Sequence, residues 1–166
     1  MSERNGTVVC PGTYDPVTLG HVDIITRTAN VFDKVVVGVV NNPLRKDKTL
    51  FSAEERKGFI ETATADLANV EVQIFSTLLV EFARENDAHA IVKGMRAISD
   101  FEYEFEMAQL NRKLDPGIES IYVIASPHYS FLSSTGVKEM ATFGGDVGDL
   151  VPPAVASALS ERLDNR

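Results

Sequence analysis

Residues 7–21 read TVVCPGTYDPVTLGH, and they pass from a short apolar run through a loop into the start of a helix. The run at residues 7–10 has apolar side chains on consecutive positions, which is typical of a strand covered on both faces. Two prolines and two glycines shape the loop that follows. The stretch therefore predicts a strand, a loop at its carboxyl end and a helix that begins near Gly20.

The same alternation continues along the chain. Apolar runs rich in β-branched residues recur at 34–40, 70–75, 90–93 and 120–125, and each is followed by an amphipathic stretch. Ser52 with Glu55 and Ser99 with Glu102 have the spacing of a capping box, and each pair opens a helical pattern. Two further helices are predicted, at residues 78–85 and 153–163.

This order of elements, β-α-β-α-β-α-β-α-β-α-α, predicts an α/β fold. We expect a doubly wound, Rossmann-like, five-stranded parallel sheet with helices on both faces and right-handed crossovers. Ligands of such folds bind beyond the carboxyl ends of the strands. Groups that follow strands are therefore the first candidates for a functional site.

The predicted helix at residues 100–114 is apolar on two faces. Phe101, Phe105 and Ala108 mark one stripe, and a second stripe consists of Tyr103, Met107, Leu110 and Leu114. A surface helix normally has one apolar stripe. The pattern fits either a long core helix or a helix between the core and a subunit interface.

Length and composition indicate one globular domain. The chain has 166 residues, of which 44% are hydrophobic and 24% charged, values close to soluble averages. We expect a single domain over residues 1–166, with C-terminal helices from about residue 133 packing on it. Cys10 is the only cysteine, which excludes an intramolecular disulfide and a zinc site of Cys/His type.

The charge balance narrows the class of partner. The chain carries 24 acidic and 16 basic side chains and a net charge of −8, so a cationic face for nucleic acid or an anionic membrane is not expected. The N-terminus lacks the apolar core of a signal peptide. A cytoplasmic protein is the expectation, and a small anionic ligand remains possible because it needs only a few cations in one pocket.

Groups that bind phosphate follow four of the five predicted strands. His21 starts a helix after the first strand, and a cationic loop with Arg45 and Lys46 follows the second. The fourth ends in residues 93–96, Lys-Gly-Met-Arg, and the fifth leads to Ser133-Ser134-Thr135 at a helix start, with Lys138 a turn later. Three hydroxyls there supply one cap and two further donors. Helix N-termini and backbone N–H groups favour anions.

Other phosphate and hydrolase motifs are missing from the sequence. There is no G-x-x-x-x-G-K-[ST] loop, no G-x-S-x-G elbow and no carboxylate pair suited to acid–base work. Asp15 is a metal candidate by residue type, but an aspartate before proline is more often a turn residue. We assign no metal ligand.

The motif Thr18-Leu19-Gly20-His21 resembles that of the T/H-x-G-H nucleotidyltransferase superfamily. Within it the chain is similar to the bacterial phosphopantetheine adenylyltransferase family over nearly its whole length. The matching segments are residues 11–24, 93–96, 100–104, 129–135, 138–139 and 144–147. A lone T-x-G-H would be weak, whereas this combination, in order and at family spacing, is specific.

The resemblance implies transfer of AMP from ATP to 4′-phosphopantetheine, giving dephospho-coenzyme A and pyrophosphate in coenzyme A biosynthesis. It implies Mg²⁺ with ATP and a homohexamer. His21, Arg45 and Arg96 are the expected catalytic residues, and Thr13, Arg45, Leu79 and Lys93 the expected acceptor contacts. The expected ATP-binding residues are Thr13, Tyr14, His21, Gly94, Met95, Arg96, Glu104, Tyr129, Ser130, Phe131, Leu132, Ser133, Ser134 and Thr135.

The sequence departs from the family pattern at a few positions. Arg45 stands where lysine is common, and the loop is about two residues longer, so Lys46 is an alternative for the acceptor phosphate. Lys93 and Arg96 replace an arginine pair, Met95 replaces leucine, and Tyr14 replaces phenylalanine. Two alternatives remain: another nucleotidyltransferase of the superfamily, acting on nicotinate nucleotide or transferring CMP, and a non-catalytic nucleotide-sensing module.

Overall fold

Five parallel strands form one sheet in the order β3-β2-β1-β4-β5 in a computed structural model that describes residues 6–41 and 49–164. The strands are β1 (Thr7–Gly12), β2 (Lys34–Val40), β3 (Val70–Phe75), β4 (Ala90–Met95) and β5 (Glu119–Ile124). The order reverses between β1 and β4, and an open parallel sheet binds ligands at such a switch point. The predicted α/β class is confirmed.

In the part of the chain that the structure describes, six α-helices connect and flank the strands. They are α1 (Leu19–Val31), α2 (Ala53–Ala63), α3 (Leu79–Glu85), α4 (Ile98–Leu114), α5 (Ser134–Thr142) and α6 (Pro153–Asp164), and a 3₁₀ turn at Pro127–Tyr129 follows β5. None of the helices within the described ranges has both the length and the apolarity needed to cross a bilayer.

The core has two layers, one on each face of the sheet. Val8 and Cys10 of β1 face one cluster, which includes Ile25 of α1 and Leu159 of α6. Val9 faces the other cluster, which α3 completes. Consecutive residues of β1 and β2 are therefore both buried, which is why these strands are apolar without alternation. The same expectation is wrong for the edge strand β3, VEVQIF, in which Glu71 and Gln73 alternate with apolar residues.

The structure confirms one of the two predicted capping boxes and shows that the other is wrong. At α2 the box is confirmed: Ser52 Oγ accepts from the Glu55 N–H at 3.2 Å, and Glu55 Oε2 accepts from the Ser52 N–H at 2.8 Å. The box predicted for Ser99 and Glu102 is wrong. α4 already begins at Ile98, and Asp100 accepts from the Arg96 and Ala97 N–H groups at 3.0 and 3.3 Å. Asp100 satisfies these free N–H groups, so Ser99 is not needed as a cap.

Helix α4 buries little of its surface in this chain. Its only buried residue is Asn111, and the aromatic and leucine side chains of both apolar stripes are exposed, with Phe101 at 51%, Tyr103 at 60% and Phe105 at 54%. Met107 and Ala108 are half-buried. The core-helix alternative is therefore wrong for the single chain. An apolar face of this extent is typical of a surface that another molecule covers.

Candidate active site

A cavity of about 330 Å³ lies beyond the carboxyl ends of β1 and β4, at the switch point of the sheet. Three of the four predicted strand-following segments meet there: the first loop with the start of α1, the end of β4, and the segment between β5 and α5. The polar residues that line it include Thr18, His21, Lys93, Arg96, Asp100, Glu104, Ser133, Ser134 and Thr135. The fourth segment, with Arg45 and Lys46, falls outside the described residues.

His21 sits in the first turn of α1, where it takes the place that Glu has in a usual capping box. The Thr18 N–H donates to His21 Nδ1 at 2.9 Å, and Thr18 Oγ1 accepts from the His21 backbone N–H at 3.3 Å. Because Nδ1 accepts a hydrogen bond, the proton of a neutral ring is assigned to Nε2. The cap therefore makes Nε2 a hydrogen-bond donor.

The surroundings of His21 keep the ring neutral. Burial, and to a smaller extent the Arg96 cation, lower the pKa of His21 to about 4. The Tyr14 ring packs edge-on at 5.0 Å between centroids, and the Tyr14 hydroxyl donates to the Cys10 carbonyl at 3.0 Å. At neutral pH His21 thus supplies one N–H and no charge.

Arg96 is fixed between two walls of the cavity. Its Nη1 donates to the Leu132 carbonyl at 2.8 Å, and its Nε donates to Asp100 Oδ2 at 3.3 Å. These contacts tie the end of β4 to the segment that precedes α5. The cation is therefore held near the hydroxyl-rich wall before any ligand arrives.

Lys93 and Glu104 form an ion pair in the cavity wall. Lys93 Nζ lies 2.8 Å from Glu104 Oε1. The second oxygen, Oε2, is buried and has no hydrogen-bond partner, the single such side-chain atom found in residues 6–41 and 49–164. A buried acceptor without a donor is costly, so this oxygen is suited to a donor from a bound ligand.

The three hydroxyls at the start of α5 have different roles. Ser133 caps the helix by accepting from the Gly136 N–H at 3.0 Å, as expected. Ser134 Oγ donates to the Pro16 carbonyl at 2.7 Å, so one of the two further donors expected here is already engaged within the protein. This hydrogen bond joins α5 to the first loop. The Thr135 hydroxyl and the N–H groups of Ser134 and Thr135 are then left for a ligand.

Asp15 is a structural anchor. Its two oxygens accept from the N–H groups of Leu50 and Phe51, both at 2.9 Å, and Oδ2 also meets Lys138 Nζ at 2.9 Å. The interpretation of Asp15 as a turn residue agrees with these contacts. Across the described ranges no three His, Cys, Asp or Glu side chains gather as metal ligands.

The fold is shared with solved nucleotidyltransferase structures. A bifunctional NMN adenylyltransferase/ADP ribose pyrophosphatase from Francisella tularensis superposes with a TM-score of 0.66 at 18% identity, over 96% of this chain and 50% of that one. A chain described as a nicotinate-nucleotide adenylyltransferase from Vibrio parahaemolyticus gives a TM-score of 0.61 at 18% identity, over 97% of this chain and 93% of that one. At this identity the likeness concerns the fold alone.

Sequence comparison is more specific. A profile of the cytidylyltransferase-like family matches residues 9–140. The phosphopantetheine adenylyltransferase of Streptomyces coelicolor is 52% identical over 158 residues, 95% of this chain and 98% of its own length. The enzyme of that name from Caldanaerobacter subterraneus subsp. tengcongensis is 51% identical, over 93% and 96%. The chain belongs to the phosphopantetheine adenylyltransferase family. The resemblance drawn from the motifs is thereby confirmed.

Not every residue expected from the family lines the cavity. The cavity wall includes Tyr14, His21, Lys93, Gly94, Arg96, Glu104, Tyr129, Leu132, Ser133, Ser134 and Thr135. Thr13 is exposed on the first loop, Phe131 is 71% exposed, and Met95, Ser130 and Leu79 also lie outside the lining. Arg45 falls outside the described residues.

Several supporting contacts were not predicted from the sequence. Ser126 Oγ donates to Asp23 Oδ2 at 2.7 Å, and Arg27 Nη1 donates to the Ile124 carbonyl at 2.8 Å, so α1 is joined to the end of β5. Asp23 and Arg27 are four residues apart on α1 and form an ion pair, a spacing visible in the sequence. The hydrogen bond between Ser126 and Asp23 has no such signal in the sequence, because the two residues are 103 positions apart.

Proposed function

We propose that this chain transfers AMP from ATP to 4′-phosphopantetheine and so makes dephospho-coenzyme A and pyrophosphate. A phosphate oxygen of the acceptor forms a bond to the α-phosphorus of ATP, and the bond from that phosphorus to the bridging α–β oxygen breaks. The electron pair leaves with pyrophosphate. The acceptor phosphate is already anionic at neutral pH, so the step needs positioning and charge stabilisation rather than a general base.

The observation that carries this proposal is the neutral His21 donor beside a fixed cation. With Nδ1 occupied by the Thr18 N–H, Nε2–H is available to an oxygen of the α-phosphoryl group. Arg96, anchored by Asp100 and Leu132, supplies positive charge for the departing pyrophosphate. Preorganised donors of this kind stabilise charge that develops in the transition state.

The nucleotide also has an acceptor in the cavity. Glu104 Oε2 is buried and unpartnered, and ATP carries an exocyclic amine and two ribose hydroxyls that donate hydrogen bonds. We assign Glu104 to the nucleotide and Lys93, its ion-pair partner, to the acceptor. The pair would then lie between the two substrates.

We further propose that Mg²⁺ enters with ATP as part of the substrate. Mg²⁺ keeps several waters and is usually bound through one or two carboxylates and the phosphates of the substrate. Asp15 is already occupied by Lys138 and two N–H groups, so we give it no role toward the metal.

The exposed face of α4 supports an oligomer. Ile98, Phe101, Tyr103, Phe105, Leu110 and Leu114 are all close to half exposed or more. We propose that α4 packs against other copies of the chain in a homohexamer, as the family resemblance implies. We place this assembly in the cytoplasm, where coenzyme A precursors and ATP meet.

The decisive experiment is a pyrophosphate-release assay with the purified chain, ATP, Mg²⁺ and a panel of acceptors. We expect release with 4′-phosphopantetheine and formation of dephospho-coenzyme A by mass spectrometry. Pantetheine without its phosphate is the matched control and should give nothing, since it lacks the nucleophile. Release that depends on nicotinate mononucleotide instead, or that needs no acceptor, would contradict the proposal.

A further inference from the structure

Arg56 is a buried cation on the face of α2 that packs toward the core. It is 3% exposed, and the other buried residue of α2 is Ile60, one turn further on. A helix position of this kind normally holds an apolar residue. The guanidinium therefore needs an explanation beyond packing.

The three side-chain hydrogen bonds of Arg56 in the described chain all go to backbone carbonyls. Nε donates to Phe51 at 3.1 Å, and Nη1 donates to Thr13 at 2.7 Å and to Val40 at 3.0 Å. Asp15 is near enough to favour the charged form, although its own oxygens contact Leu50, Phe51 and Lys138. Burying a charge is unfavourable unless it is well paired, and an apolar side chain of similar volume often stabilises a core better.

The three carbonyls belong to segments that meet at one edge of the sheet. Thr13 follows β1 directly, Val40 ends β2, and Phe51 precedes α2. β1 and β2 are paired up to Gly12 and Val39, so Arg56 binds both strands where their pairing stops. Carbonyl oxygens at this edge would repel an incoming phosphate, and a guanidinium that binds them removes part of that repulsion. The same hydrogen bonds hold the loop at Thr13 in place.

We infer that Arg56 is a positioning residue for the acceptor phosphate. This rests on the proposed function and on the expectation, implied by the family resemblance, that Thr13 contacts 4′-phosphopantetheine. Thr13 is expected to contact ATP as well, but two other residues assigned to ATP are held by different groups, His21 by Thr18 and Arg96 by Asp100 and Leu132. Loss of Arg56 should therefore disturb binding of the acceptor more than binding of ATP.

The test is steady-state kinetics of Arg56→Met with each substrate varied in turn. We expect KM for 4′-phosphopantetheine to rise about tenfold while KM for ATP changes less than about twofold, because displacement of a positioning group weakens alignment of the substrate it serves. Arg56→Lys keeps the charge but loses the planar set of guanidinium donors. Its KM for the acceptor should therefore lie between the values of the wild type and Arg56→Met. Should Arg56→Met not fold, Arg56→Lys carries the same comparison.

Arg162→Met is the matched control. Arg162 donates to the Leu50 carbonyl at 2.7 Å and contacts Glu55, so it supports the start of α2 without touching Thr13 or Val40. We expect a lower melting temperature and unchanged KM values. If Arg56→Met and Arg162→Met behave alike, the role of Arg56 is structural and the inference is overturned. A wild-type chain that makes no product refutes the proposed function instead.

Discussion

At the scale of single residues, the proton of His21 is the central feature. The Thr18 N–H occupies Nδ1, so one backbone group selects the tautomer that can donate into the cavity. We expect His21→Ala to fold and to lower turnover by at least about 10²-fold, the scale for loss of one transition-state donor. Turnover is measured by pyrophosphate release, and circular dichroism verifies the fold.

His21→Gln is the companion variant. Its amide keeps a donor at the end of the side chain, so it should retain more activity than His21→Ala. Equal activity of His21→Ala and the wild type would remove His21 from the mechanism.

The pKa of His21 has a second consequence at this scale. The folded chain holds a ring with a pKa of about 4, and in the unfolded chain the value is 6.5. Between these values the unfolded state binds the proton more readily, so stability falls as pH drops from 6.5 toward 4, and this group contributes no change above that window. An NMR titration of the imidazole nitrogens should give a pKa below 5 and a protonated Nε2. A pKa near 6.5 would contradict the assigned environment.

At the scale of elements, the start of α4 depends on Asp100. This carboxylate accepts from two backbone N–H groups and from the Arg96 side chain, which lines the cavity. We expect Asp100→Ala to destabilise the chain by about 1 kcal/mol, as for loss of a helix cap, and to raise KM for ATP because Arg96 loses an anchor.

Ser99→Ala is the control for that substitution. Ser99 is not the cap, so its loss should change stability by less than about 0.5 kcal/mol. Urea denaturation of both variants measures the difference. A larger loss for Ser99→Ala than for Asp100→Ala would show that the cap is assigned to the wrong residue.

At the scale of the whole molecule, α4 determines the expected assembly. Phe101 and Phe105 stack at 5.8 Å between ring centroids on the exposed face. We expect light scattering to give six times the 18.2 kDa of one chain, and Phe105→Glu to lower that mass, since a buried charge opposes association. Val31→Glu, at an exposed position on α1, is the control and should keep the wild-type mass. A wild-type monomer at micromolar concentration would reject the assembly.

Much of the fold was predictable because its signals are local. β1 and β2 are apolar on consecutive positions, and Ser52 and Glu55 mark the start of α2 within four residues. β1 and β4 extend two residues beyond the predicted runs, to Gly12 and Met95, because strand pairing continues where the apolar pattern stops. The assignments of Arg45 and of the other site residues to particular substrate groups stay predictions.

The alternation of strands and helices, the family, and three of the segments that surround the cavity were predictable from the sequence alone. These follow from periodicity and from motifs that are contiguous in the chain. Tertiary structure alone decided which polar groups remain available: Ser134 turns to Pro16 across 118 positions, and Lys138 reaches Asp15 across 123. It also placed Arg56 on carbonyls at the ends of two strands. Hydrogen bonds over such separations depend on how the elements pack, and no local pattern encodes them.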